Sequence, residues 1–308
     1  MNYQLLANLE NWLGQQIVGQ QDLIHKLMLA LLANGHLLVE GAPGLAKTRA
    51  IKEMAEGIEG SFHRIQFTPD LLPGDITGTD IFRPQTGAFE FQQGPIFNNL
   101  VLADEINRAP AKVQSALLEA MAERQVSIGS QTYELPALFL VMATQNPIEQ
   151  EGTYPLPEAQ LDRFLMHVRV SYPDAGAEQA ILRLARSEAG GTHSRPEGTV
   201  SQADIFSARK AVLDIHMAPA VEEYIIQLIV GTREPDHYDS ELAGWLEYGA
   251  SPRATIALDR CARANAWIAG RDYVSPDDVQ AVALDCLRHR LIVSFEAEAA
   301  GVTSDQII

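Results

Sequence analysis

Gly41-Ala42-Pro43-Gly44-Leu45-Ala46-Lys47-Thr48 follows the apolar run Leu37-Leu38-Val39 and precedes a helix-like stretch from Arg49 to Ile58. An apolar strand, a glycine-bearing turn and a helix opening on Lys-Thr are the parts of a phosphate cradle. Backbone N–H groups at the turn and helix start point at the anion, and glycine lets the chain come close. In this reading Lys47 reaches the terminal phosphates and the Thr48 hydroxyl sits on Mg²⁺. The general pattern asks for glycine before the lysine, and this chain has Ala46. Alanine is accommodated there if the residue already has helical dihedrals. The plainer alternative is an ordinary strand–turn–helix whose lysine is solvated.

Outward from this stretch, further apolar runs end in polar residues. Ser61 to Phe67 alternates as a strand does, and Phe164 to Val170 reads as another strand. Leu100-Val101-Leu102-Ala103 delivers Asp104 and Glu105 at its carboxyl end, and Ala137 to Thr144 delivers Gln145-Asn146-Pro147. Asp22 to Ala33 carries Leu23, Ile24, Leu27, Met28 and Leu31 at helical spacing, and Pro110 opens a second amphipathic helix. Strands alternating with helices predict a three-layer α/β domain built on a parallel sheet. Ligands of such sheets bind beyond the carboxyl ends of the strands, so Gly41–Thr48, Asp104-Glu105 and Asn146 are expected at one edge. There Asp104 suits the metal side. Glu105 suits deprotonation of an attacking water, and Asn146 the orientation of water or the γ-phosphate.

The α/β domain is expected to span residues 1–173, with hairpin inserts near 75–97 and 125–136. Ile76–Phe82 and Ala88–Gln93 pair across Pro84-Gln85-Thr86-Gly87, and Gln125–Leu135 turns at Gly129-Ser130. Residues 150–157 are turn-rich. Residues 174–200 hold a helix, Ala177 to Glu188, and a linker, Gly190 to Pro196. Residues 201–308 read as a small all-helical domain, in which Ser251-Pro252 and Ser275-Pro276 are helix starts.

Composition narrows the function. The chain has 308 residues, 23 basic and 40 acidic, for a net charge of −17. Nucleic acid would be repelled at long range and is not the expected substrate. No apolar stretch reaches the length of a membrane span, and the amino terminus lacks a basic secretory start. Cys261 and Cys286 are too far apart in sequence for a metal knuckle or redox pair, so a reducing cytoplasm is expected. The eight histidines show no ligand spacing. Trp245 and Tyr248 stand either near a nucleotide or at a domain contact.

Five stretches together carry a family resemblance: residues 41–48, Leu-Leu-Pro-Gly-Asp-Ile-Thr-Gly (71–78), Ala-Asp-Glu-Ile-Asn-Arg-Ala (103–109), Ala-Thr-Gln-Asn-Pro (143–147) and Leu-Asp-Arg-Phe (161–164). With Gly-Ala-Ser-Pro-Arg (249–253), they strongly resemble the MoxR family of AAA+ ATPases, whose own version of the cradle has the alanine at 46. The resemblance implies a Walker A motif over Gly41–Thr48 (with Ala42, Pro43, Gly44, Leu45, Ala46, Lys47 and Thr48 around ATP) and a Walker B motif ending in Asp104-Glu105. It implies sensor 1 at Asn146, an arginine finger at Arg163 acting on a neighbour's ATP, sensor 2 at Arg253, and adenine contacts at Val18 and Gly19. A structural Arg163, paired with Asp162 or a glutamate of its own chain, is the alternative. Arg108 and Arg124 lie near the implied subunit boundary with no role assigned.

The resemblance further implies Mg²⁺, a hexameric ring, a protein client that is remodelled or matured, and a von Willebrand factor A domain partner. Two other functions stay open at this point: an ATP-gated switch with little turnover, and a motor of the related chelatase or helicase clades.

Overall fold

The computed structural model describes residues 2–85, 87–147, 152–191, 195–196 and 198–308. Residues 192–194 of the expected linker, Thr86 of the first hairpin turn, and Gln150-Glu151 of the turn-rich stretch lie outside the described residues.

The chain opens on helices α1 (Asn2–Gln16) and α2 (Gln21–Leu32), joined by the Ile17–Gln20 turn. Helix α1 is an addition to the sequence reading: Leu6, Leu9, Trp12 and Leu13 form its buried stripe among polar neighbours. Strand β1 (Leu37–Glu40) leads through the glycine-bearing turn to α3 (Lys47–Gly57) and β2 (Phe62–Gln66). A short α4 (Pro73–Thr77) precedes the hairpin of β3 (Gly78–Arg83) and β4 (Ala88–Gln93). Then come β5 (Leu100–Asp104), α5 (Ala111–Glu123), the second hairpin of β6 (Gln125–Ile128) and β7 (Gln131–Glu134), β8 (Leu140–Gln145), α6 (Glu158–Leu161) and β9 (Met166–Arg169).

Five strands form one parallel sheet in the order β2-β5-β8-β1-β9. Successive side chains point to opposite faces. Leu37, Val39, Leu100, Leu102, Leu140 and Met142 therefore join one apolar core, and Leu38, Val101, Ala103, Val141 and Ala143 the other. Burial on both faces explains why these strands read as continuous apolar runs.

The first hairpin begins later than expected. Pro73 pre-sets the first turn of α4 and Asp75 Oδ2 accepts from the Leu72 N–H at 2.7 Å, so Ile76 and Thr77 are helical. The strand starts at Gly78, whose φ is +95° and whose added Cβ would stand 2.3 Å from the Gln92 carbonyl oxygen. Only glycine fits there.

Beyond the sheet, Asp174 caps α7 (Ala175–Ala189), accepting from the Ala177 N–H at 2.8 Å. The remaining chain forms α8 (Gln202–Leu213), α9 (Pro219–Arg233), α10 (Ser240–Trp245), β10 (Leu246–Tyr248), α11 (Pro252–Ile268), α12 (Pro276–Leu287), β11 (Ile292–Val293), α13 (Phe295–Ala299) and α14 (Ser304–Ile307). The part is helical as expected, with one addition: the antiparallel pair β10–β11, too short to show a two-residue period. Trp245 and Tyr248 belong to this corner. The two cysteines, distant in sequence, meet across the packed helices α11 and α12, where burial pushes the Cys261 thiol up.

Arginines pin this helical part to the sheet. Arg288 Nη1 donates to the His167 carbonyl and to Asp285 Oδ1, both at 2.6 Å. Arg290 Nε donates to Asp162 Oδ1 at 2.7 Å, and its Nη2 to the Phe164 carbonyl at 2.6 Å. Lys26 of α2 meets Asp285 of α12 at 2.9 Å. These are buried, charge-assisted contacts, and removing one partner would strand a charge. Among the described residues, no helix is long and apolar enough to cross a membrane.

Candidate nucleotide site

The cradle is shaped by backbone needs. A Cβ at Gly41 would stand 2.8 Å from the Val170 carbonyl oxygen, whereas Gly44 has open space but a φ of +83°. Ala46 overturns an expectation. Its dihedrals are left-handed, φ 57° and ψ 16°, a conformation that costs an L-residue about 1–2 kcal/mol. Its carbonyl still accepts from the Ala50 N–H at 2.9 Å, so α3 starts cleanly after it. Lys47 Nζ donates to the Gly41 carbonyl and lies 3.5 Å from the Gln145 carbonyl, spanning the ends of β1 and β8. Burial lowers the Lys47 pKa, and Asp104, Glu105 and Glu40 oppose that shift.

Lys47 and Thr48 share a cavity of about 360 Å³ with Asp104, Glu105 and Asn146. Asp104, the buried last residue of β5, accepts from Thr144 Oγ1 at 2.6 Å and from Arg64 Nη2 at 2.7 Å. Glu105 is left-handed, φ 56° and ψ 51°, a turn that its N–H secures by donating to Thr144 Oγ1 at 2.9 Å. Its Oε2 accepts from Gln66 Nε2 at 2.8 Å and from Arg108 Nη1 at 3.0 Å. Thr144 thus holds both acids from the neighbouring strand. The Thr48 hydroxyl and Asp104 carboxylate are hard oxygen donors from residues lining the same cavity, a set that suits Mg²⁺.

Arg64, Gln66, Arg108 and Thr144 are absent from the sequence-derived site. A signal existed: Arg64 and Gln66 are alternate polar residues at the carboxyl end of a strand, and β2 registers Gln66 against Asp104.

A second cavity of about 240 Å³ shares Pro43, Gly44, Leu45 and Ala46 with the first. Val18, Ile17, Tyr172 and Ile181 wall it. Gly19 packs behind: its φ is +80°, and a Cβ there would stand 2.9 Å from that of Ala177. Helix α7 is held over this cavity by Arg49, whose Nη1 reaches Glu188 Oε2 at 3.1 Å. The phosphate cradle therefore continues into a mostly apolar slot of the kind that takes a flat base.

Arg163 and Arg253 do not line either cavity. Both face a third cavity, of about 450 Å³, together with Asp162, Arg124 and Arg260. Asp162 is occupied by Arg290, by Ser251 Oγ at 2.9 Å and by Arg253 Nη1 at 3.8 Å, and Arg163 is not its partner. Trp245 and Tyr248 line none of the three.

A cradle after β1, paired acids after β5 and a helical domain packed on a parallel sheet define a P-loop ATPase of the AAA+ class. The family model described as "ATPase family associated with various cellular activities (AAA)" matches residues 36–166, and the AAA lid domain matches residues 243–308. "Chaperone MoxR1" of Mycobacterium tuberculosis is 45% identical over 95% of this chain and 77% of that protein. "Protein MoxR" of Methylorubrum extorquens is 32% identical over 98% of this chain and 92% of its own length. The crystal structure of a Cytophaga hutchinsonii protein, titled a "putative ATPase", superposes with a TM-score of 0.91 at 46% identity, covering 99% of this chain and 92% of that one. The chain belongs to the MoxR family of AAA+ ATPases.

Proposed function

We propose that this chain hydrolyses ATP with Mg²⁺ at the Gly41–Thr48 cavity and uses the cycle to remodel or mature a protein client. The observation that carries the reading is the convergence of Lys47, Thr48, Asp104, Glu105 and Asn146 on one cavity. Lys47 holds the terminal phosphates. Glu105, aimed by Gln66 and Arg108, takes the proton of the attacking water, and Asn146 orients that water or the γ-phosphate. Thr48 and Asp104 would hold Mg²⁺, which supplies charge neutralisation of the phosphates when bound. The base occupies the slot beside Val18 and Gly19.

Arg163 and Arg253 stand apart from their own chain's cradle, which supports a ring, a hexamer in this reading, where they reach the neighbour's ATP. Residues 1–173 act as the nucleotide core and 201–308 as the lid, joined by 174–200. Because Arg288 clamps the lid to β9 and Arg290 clamps it to Asp162 and Phe164 just before that strand, motion is passed between subunits and through the two hairpins. The chaperone named among the relatives supports a protein client. A cytoplasmic location and a von Willebrand factor A domain partner complete the proposal by family resemblance. A nucleic-acid motor fits less well: β3 and β4 present Arg83, yet Glu90 neutralises it at 2.8 Å. A switch without turnover fits poorly with a Glu105 held by two donors.

Glu105→Gln should bind ATP as tightly as the parent and lose turnover by about 10²-fold or more. Undiminished phosphate release from that variant would remove Glu105 as the base.

A further inference from the structure

Helix α11 presents Arg253, Ile256, Ala257 and Arg260 to the cavity that holds Arg163. Their spacing of three, four and seven residues puts them on one face, with the two arginines two turns apart. Arg124 closes the cavity from the end of α5. Its guanidinium is held by neutral acceptors, Asn34 Oδ1 at 2.6 Å and the Ala137 carbonyl at 3.2 Å.

Asp162 is the only carboxylate among the described residues lining this cavity, and Arg290, Ser251 and Arg253 already occupy it. No carboxylate among the described residues pairs with Arg163 or Arg260. Crowding is felt: burial first, then the Arg260 charge, lowers the Arg124 pKa. In a chain of net charge −17, a cleft where five arginines share one engaged carboxylate is an exception with a purpose. Guanidinium forks match phosphate oxygens in geometry as well as in charge.

We propose that Arg260 is a third phosphate-binding cation, beside Arg163 and Arg253, for the ATP bound by the adjacent copy of this chain. The inference rests on the shared-site reading of Arg163 given above. Arg260 contacts the phosphate tail itself, and its effect is on turnover within the assembled ring, not on holding the ring together.

The test uses full-length Arg260→Ala and Arg260→Lys, with Arg163→Ala as reference and Glu105→Gln as donor of intact arginines. A fluorescent ATP analogue, bound by dilute protein, should report unchanged affinity for both Arg260 variants. At saturating protein concentration Arg260→Ala should turn over roughly tenfold more slowly than the parent, and Arg260→Lys should recover part of the loss. Mixing Arg260→Ala with Glu105→Gln should raise phosphate release above the sum of the separate proteins, because at mixed boundaries an intact base then meets an intact Arg260. Parent-like turnover of Arg260→Ala, while the Arg163→Ala mixture recovers, overturns the Arg260 assignment and leaves the shared site standing. A shift only in the protein concentration needed for half-maximal turnover would mean that Arg260 grips protein carboxylates, and also overturns it. No recovery in either mixture removes the shared site and this inference with it.

Discussion

Gln66 Nε2 donates to Glu105 Oε2 across 2.8 Å, tying the last residue of β2 to the residue that follows β5. Arg108 reaches the same oxygen at 3.0 Å, so Oε2 holds two donors in a residue that lines the cavity. In the proposed reaction, a base held this way keeps its aim. Gln66→Leu should lower kcat roughly tenfold at unchanged ATP affinity, and combining it with Glu105→Gln should cost nothing more than Glu105→Gln alone. Steady-state kinetics of the two single variants and the double variant check this.

Ala46 occupies left-handed backbone at φ 57° and lines the cavity that holds Lys47 and Asp104. Glycine relieves that strain by about 1–2 kcal/mol and returns up to about 1 kcal/mol through a freer unfolded chain. Ala46→Gly should therefore raise the unfolding free energy by about 0.5–1 kcal/mol, read as a higher urea midpoint at equal slope. A lower midpoint would show that the alanine methyl group contributes packing worth more than the strain.

These two sites also show what a sequence can disclose. β1, β5 and β8 are legible because burial on both faces makes them apolar runs, and each leads into residues that line the cavity. The dihedrals of Ala46 are not legible, since the turn around it imposes them. Gln66 and Arg64 escape notice because their partners, Glu105 and Asp104, lie at the end of β5, about 40 residues away in sequence. The place of Arg163 and Arg253 follows from how Arg288 and Arg290 dock the lid, a tertiary result that no local period encodes. The β10–β11 pair escapes for a simpler reason: two or three residues cannot display alternation.

The two hairpins touch through Phe91 and Tyr133, whose rings stack with centroids 3.9 Å apart and planes 22° apart. Such a pair contributes about 0.5–1.5 kcal/mol beyond its buried area. A double-mutant cycle with Phe91→Leu and Tyr133→Leu should return a coupling energy in that range from urea unfolding. Additive effects would mean that the hairpins move independently.

His36 supplies a pH dependence. Its Nδ1 accepts from the Val141 N–H at 3.0 Å and its Nε2 faces the Met121 carbonyl at 3.3 Å, which fixes the neutral ring. Burial, then the Arg124 charge, lowers its pKa from 6.5 to about 3. The folded pKa lies below the unfolded one, so its contribution is intact above pH 6.5 and is lost as pH falls toward 3. Across that window this histidine alone should cost about 1.4 kcal/mol of stability per pH unit. His36→Gln should flatten the fall in urea midpoint between pH 7 and pH 5, and an unchanged slope would assign the acid sensitivity to other groups.

The most direct test of the shared site is phosphate release per subunit as protein concentration is raised, with assembly followed by sedimentation in Mg-ATP. The geometry predicts that specific activity climbs in step with assembly, since Arg163 and Arg253 stand away from their own chain's cradle. Turnover independent of concentration, by a chain that stays monomeric, would contradict a site completed by the neighbour.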